Sequence, residues 1–200
     1  EECWKPIETR LKKESDKKKL VAAANGKRKT TDEKDYLTDF IRNFLMREGT
    51  VVDKSEVYLQ LRESVDKETS GTEASVETEQ TVIEFLKKLG EFAHYYAKLL
   101  WPDLEDNKKI STQISRINRL EVTVAYYPIL LNVYDCRSNG DLSTEDFLAI
   151  LSALENFIVR RTVCKVPPNS LSKIFGALIK DTKRRGFSKE VITDFLSRKD

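Results

Sequence analysis

Two hundred residues suffice for one domain, or two small ones, with a real apolar core. Hydrophobic residues make up 40% and charged residues 34%, which excludes wholesale disorder, while seven Gly and five Pro favour long helices over a turn-rich β-sandwich. The net charge of +2 hides an asymmetry, with +4 over residues 1–34, −9 over the middle and +7 over residues 160–200.

The N-terminal stretch carries Trp4, Pro6, Ile7 and Leu11, then a Lys-rich run from Lys12 to Lys19 and a loop at Asn25-Gly26-Lys27-Arg28-Lys29. Thr31-Asp32-Glu33 starts a helix in which Tyr36, Leu37, Phe40, Ile41, Phe44 and Leu45 recur at helical spacing, and Gly49 closes it. Asp53 caps a second helix carrying Val57, Tyr58, Leu61 and Val65. Residues 67–80, rich in Thr, Ser, Gly and Glu, read as a flexible connection.

The clearest helix spans Gln80 to Trp101, with Val82, Phe85, Leu86, Leu89, Phe92, Ala93, Tyr96 and Leu100 on one stripe and Pro102 ending it. A short helix follows around Ile110–Leu120. Val122–Tyr134 is apolar on nearly every side, so it reads as a central buried helix, kinked by Pro128. Ser143 caps the next helix, which runs to about Cys164 before Pro167-Pro168, with Cys164 as a small buried hydrophobe. Asn169 or Ser170 opens another, with Leu171, Ile174, Phe175, Leu178 and Ile179 inward. Ser188 starts a last short helix.

The expected fold class is therefore all-α, a bundle of about seven to nine helices. It reads as a single helical domain over 1–200, with N-terminal helices over 1–66, the connection at 67–80 and the main bundle over 81–200. No apolar run approaches the roughly 20 residues that span a bilayer, so no membrane is expected as a partner. Three scattered cysteines, Cys3, Cys136 and Cys164, form no CxxC pair or zinc spacing and suit a reducing cytoplasm.

Catalytic chemistry has little to build on. The chain has one histidine, His94, placed away from the apolar stripe of its helix and expected to face solvent. Neither GxGxxG nor GxxxxGK[ST] occurs. No catalytic residue, metal site or cofactor is expected in the chain itself.

Asp135 to Asp146 has the outline of an EF-hand loop, with Asp first, Asn139 fifth, Gly140 sixth and an acid twelfth. Arg137 at the third position and the short Asp146 at the twelfth speak against calcium, and a capped helix–turn–helix explains the same residues. In the helix from Ser143, the stripe of Phe147, Ile150, Leu151, Leu154, Phe157 and Ile158 continues onto Arg161. A guanidinium on that side needs an acceptor: either a core carboxylate such as Glu121, or a phosphate or carboxylate outside the helix. A second basic group, Lys180, Lys183, Arg184 and Arg185, forms a candidate nucleic-acid face near the C-terminus.

Several of these pieces share an order and spacing. They are Trp4-Lys5-Pro6-Ile7-Glu8, residues 36–45, Arg119-Leu120-Glu121 through Tyr134-Asp135, Glu155 through Cys164, and Pro168-Asn169-Ser170-Leu171 with Phe175. Together they resemble the helical part of the N-terminal region of GmrSD-type proteins, modification-dependent (type IV) restriction endonucleases and related phage-defence proteins. The resemblance is weakest at residues 12–30 and 66–80. It implies a larger parent, a nucleotide-dependent endonuclease. There a ParB-like nucleotide-hydrolysing domain with an Asp-Gly-Gln-Gln-Arg signature precedes this part, and an HNH-type nuclease often follows. Neither signature lies in this chain. The resemblance makes this chain a non-catalytic coupling module, with nucleoside triphosphate, divalent metal and DNA handled by the parent. It points to Arg160, Arg161, Asn169 and Lys173 as contacts to the nucleotide domain or its phosphates. The alternatives are a stand-alone helical adaptor or nucleic-acid-binding protein, and an EF-hand-like calcium-binding protein.

Overall fold

The computed structural model describes residues 9, 12, 36–69, 76–120 and 124–199. The expectations for Trp4, the Lys-rich run, Thr31 and Glu121 fall outside them. The described residues form eight α-helices and no strand: α1 Tyr36–Met46, α2 Val57–Thr69, α3 Val76–Leu100, α4 Lys108–Asn118, α5 Tyr127–Ser138, α6 Thr144–Val163, α7 Leu171–Arg185 and α8 Lys189–Ser197. Short 3-10 turns at Lys54–Glu56, Pro102–Leu104 and Pro168–Ser170 join them. None of these helices is long and apolar enough to cross a membrane.

The helices group into two compact units. The first takes residues up to 42 and 53–94; the second takes 43–52 and 95–200. The stretch at 67–80 thus falls inside the first unit, and most of it is helical: α2 continues to Thr69 and α3 begins at Val76. In the first unit Phe40, Ile41, Val57, Phe85, Leu89 and Phe92 are buried. Thr38 and Tyr58 share a hydrogen bond of 2.9 Å between their hydroxyls, which holds the exposed Tyr58 ring against α1.

The second unit is built around α5. Every residue from Tyr127 to Tyr134 is buried, so this helix has no solvent face over its first two turns. Pro128 does not kink it. The proline sits in the first turn of α5, where its missing N–H costs no hydrogen bond and its fixed φ suits helix initiation. Residues 124–126, expected to be helical, form a bend and turn ahead of α5, because an apolar run before a proline reads as helix; the expected start at residue 122 lies outside the described residues. Around α5, α6 packs against α4 and α8, and α7 packs against α8 and α5.

Local chemistry fixes the ends of these helices. Asn107 caps α4 by accepting from the amides of Lys109 and Ile110. The Ser143 hydroxyl accepts from the Asp146 amide at 3.0 Å and donates to the Asp146 carboxylate at 2.8 Å, while Ser188 accepts from the Val191 amide. Behind Pro128, Asn118 organises a buried polar node. Its amide donates to the Leu99 carbonyl at 2.8 Å, and its oxygen accepts from the hydroxyls of Tyr126 and Tyr127 at 2.6 and 3.3 Å. Burial pushes the Tyr127 phenol up to about 12, and burial likewise raises Tyr126.

One close approach has no side chain between its partners. Gly49, with φ +88, ends the turn after α1 directly against Gly176 of α7. A Cβ on Gly176 would lie 3.0 Å from the Gly49 carbonyl oxygen, and one on Gly49 would lie 2.8 Å from that of Gly176. Backbone touches backbone there. Asn132 of α5 pins the same turn by donating to the Arg47 carbonyl at 2.8 Å.

Candidate functional site

Two clusters of charged side chains in the second unit repay attention, one buried and one at a corner.

The buried cluster centres on Glu105, which follows the turn after α3 and is 4% exposed. Its carboxylate accepts from the Tyr134 hydroxyl at 3.0 Å and from the Asn107 amide at 3.1 Å. Lys98 lies 3.3 Å away and Arg137 3.8 Å. Arg137 also stands over the Phe147 ring at 5.6 Å, and Tyr134 stacks on Tyr95 with ring centroids 5.5 Å apart. Burial, with the nearby Glu105 charge, raises the Tyr134 phenol well above its ordinary value. No buried side-chain polar atom of this cluster is left without a partner, so it reads as a satisfied interior network. Sequence reasoning missed it, because Glu105 sits in an ordinary-looking acidic turn.

The same contacts bear on the EF-hand outline. Arg137, at the third loop position, is turned to Glu105 and Phe147. Asp146, at the twelfth, is shared between Ser143 and Lys189, which lies 2.9 Å away and lowers its carboxyl below the usual carboxylate range. Among the described residues no three acidic, histidine or cysteine side chains are placed to hold a metal ion together.

The corner lies where α6 ends and α7 begins. Arg161 is half-buried on α6, as its place on the apolar stripe requires, with its guanidinium 5.5 Å from the Phe157 ring centroid. Its Nη2 donates to the Ser170 hydroxyl at 2.9 Å, while its Nε is buried and makes no hydrogen bond among the described residues. Among the described residues its acceptor is a neutral hydroxyl, and the expectation for Glu121 lies outside them. Ser170 in turn makes no side-chain cap to α7, and the Leu171 amide donates instead to the Pro168 carbonyl of the preceding 3-10 turn. Asn169, beside Ser170, and Lys173, in the first turn of α7, are exposed, as is Arg160. Of the four predicted contact residues, Arg161 and the Asn169–Lys173 segment are therefore brought together across nine residues of chain.

The corner is also strained. Helix α6 ends in a double hydrogen-bonded reversal, Lys165 N–H to the Thr162 carbonyl at 3.0 Å and Val166 N–H to the Arg161 carbonyl at 2.9 Å. That reversal needs a residue in the left-handed region, which is usually glycine. Here it is Lys165, with φ 55, the one non-glycine residue of positive φ among those described. Cys164, expected in the core, is exposed instead, because the reversal lifts it off the apolar stripe.

The C-terminal basic group is largely paired. Lys183 is bonded to Glu48, Arg184 lies 2.7 Å from Asp181, and Arg185 bridges Asp181 at 3.1 Å and Asp194 at 2.9 Å. The Lys180 stem lies over Gly49. These contacts tie α7 to α8 and to the turn after α1. His94, expected to face solvent, is partly buried.

No protein-family model, no curated protein and no solved structure matches this chain.

Proposed function

We propose that this chain is a non-catalytic helical module that packs beside catalytic domains of a GmrSD-like, modification-dependent restriction endonuclease, and that the Arg161 corner is where it meets an anionic group of its neighbour. The observation that carries the reading is Arg161 itself. Among the described residues this half-buried guanidinium keeps one N–H without an acceptor and has the Ser170 hydroxyl as its hydrogen-bond partner. Such a group is poised to receive a carboxylate or phosphate in a forked contact. Asn169 adjoins Ser170 and Lys173 follows in the first turn of α7, so both lie on the segment that Arg161 contacts, and Arg160 precedes Arg161 in the chain.

The neighbours this reading calls for are a ParB-like nucleotidase, which brings nucleoside triphosphate and divalent metal, and an HNH-type nuclease that acts on DNA in the cytoplasm. The alternative of a nucleic-acid face on α7 draws less support, since Lys183, Arg184 and Arg185 already meet carboxylates. The test is the reading frame that encodes the chain, together with the activity of the purified 200 residues. An Asp-Gly-Gln-Gln-Arg signature encoded ahead of Glu1, with no nucleotide hydrolysis or DNA cleavage by the chain alone, supports the proposal. A frame without that signature, or turnover by the isolated chain, removes it.

A further inference from the structure

Helix α4 carries its cations along one side. Ile110, Ile114 and Ile117 are buried, while Lys108, Lys109, Thr112, Arg116 and Arg119 are exposed. At about 100° per residue these five fall within an arc of about 100°. They form a row about 16 Å long at a rise of about 1.5 Å per residue. From Asn107 to Leu120 the chain has no Asp or Glu. Among the described residues Arg116 is the one cation of the row with a carboxylate in ion-pair range, Glu155 at 3.0 Å, and its side chain stays 58% exposed. Lys108, Lys109 and Arg119 project without such a partner, unlike Lys183, Arg184 and Arg185 of α7.

The acids nearest this row do not cancel it. Asp106 lies 3.6 Å from Lys98, and Glu155 is shared between Arg116 and Gln113. At its N-terminal end the row opens into a cleft of about 560 Å³ between the starts of α4 and α6, where Glu145 faces both Lys108 and Lys109. Positive charge therefore prevails along the whole length of α4. No large apolar side chain is exposed on the row, which is flanked instead by the hydroxyls of Ser111 and Ser115.

We infer that the outer face of α4 binds the phosphate backbone of duplex DNA, without reading its sequence. Charge complementarity selects a polyanion, and the rest of the face narrows the class. Lys, Arg and hydroxyl side chains are the groups that meet phosphate oxygens. A protein partner would need aromatic or aliphatic anchors, and a bilayer would need an apolar face to enter it; the row offers neither. Single strands are held largely by stacking on aromatic rings, and α4 has none. A straight row on a rigid helix suits phosphates held at fixed spacing, and its length faces about five phosphates of one strand at about 3.4 Å each. The wide major groove of B-form DNA admits a helix at its edge, whereas the narrow groove of duplex RNA does not. The inference goes beyond the proposed function, because it places DNA on this chain itself and makes no use of the Arg161 corner.

Fluorescence anisotropy of a labelled duplex of mixed sequence, titrated with the whole 200-residue chain at several salt concentrations, tests it. The expected dissociation constant is on the order of 1–100 μM near physiological salt, and affinity falls steeply as salt rises. Lys108→Gln with Arg119→Gln should lose at least about tenfold in affinity and make the salt slope shallower by about two. Lys173→Gln with Arg184→Gln, which removes the same charge from α7, should stay within about twofold of the parent. All four positions are exposed, and unchanged far-ultraviolet circular dichroism confirms that each variant is folded. No binding at about 100 μM chain in low salt overturns the inference, as does an equal loss in the two double variants, which would report net charge alone. So does equal or tighter binding of polyglutamate, of anionic phosphatidylserine vesicles or of duplex RNA. None of these results bears on the Arg161 contact, whose own test is the reading frame.

Discussion

Replacing Glu105 by Leu should be among the most damaging single changes in the second unit. The carboxylate is 2% exposed and has cations at 3.3 and 3.8 Å, so each pair carries about 4–5 kcal/mol of attraction at an effective dielectric constant of about 20. Desolvation of the charges offsets much of that, and deleting one partner of a buried pair costs about 3–5 kcal/mol, mostly from the charge left behind. Here the groups left behind are Arg137, 27% exposed, and Lys98, 12% exposed, whose remaining partner is the solvent-exposed Asp106 at 3.6 Å. The Tyr134 hydroxyl also loses its acceptor. For a chain of this size the loss corresponds to a fall in Tm of about 6–20 °C, read by circular dichroism and by urea unfolding. Glu105→Gln, which keeps an acceptor but no charge, should cost less than Glu105→Leu. The decisive variant is Glu105→Leu with Lys98→Met, which removes the carboxylate and the more buried of its two cations and should recover at least half of the loss. A single variant within about 1 kcal/mol of the parent, or a double variant no better than Glu105→Leu, would refute the reasoning.

Gly176→Ala places a methyl group 3.0 Å from the Gly49 carbonyl oxygen, and because the obstacle is backbone the expected cost is about 1–3 kcal/mol by urea unfolding. Alkaline unfolding should follow the buried tyrosines. Tyr127 keeps its proton to about pH 12 when folded but releases it near 10.0 when unfolded, so stability is full below pH 10 and falls from there to pH 12. Tyr127→Phe should make that fall shallower, and an unchanged profile would exclude the residue as its source. Lys165→Gly should stabilise the chain by about 0.5–1 kcal/mol by relieving the left-handed strain, and a lowered Tm would show that the lysine side chain supports the reversal.

The helices from α3 onward were legible wherever an apolar period and a cap agreed. Ser143 and Ser188 start α6 and α8 as expected, and the stripe from Phe147 to Ile158 is buried without exception. The misreadings came where two signals conflicted. The Thr- and Glu-rich stretch at 67–80 resembles a loop in composition, but much of it is helical, and polar composition does not forbid an exposed helix. Pro128 lay inside an apolar run, and period alone cannot separate a kink from a first turn. Arg161 was found because a charge on an apolar stripe stands out. Its acceptor was not, since Ser170 reaches it only through the reversal at Lys165, which no residue pattern announces. The Glu105 cluster draws on Lys98, Tyr134 and Arg137, distant in sequence and individually ordinary.

The meeting of Gly49 and Gly176 also restricts how α7 can travel. Shifting that helix lengthwise by one residue moves it about 1.5 Å and turns it about 100°, presenting Phe175 or Ala177 to a contact where even a Cβ lies only 3.0 Å from the Gly49 carbonyl oxygen. The turn after α1 therefore works as a detent. It sets the axial position of α7, and through the first turn of that helix the height at which Ser170 is offered to Arg161.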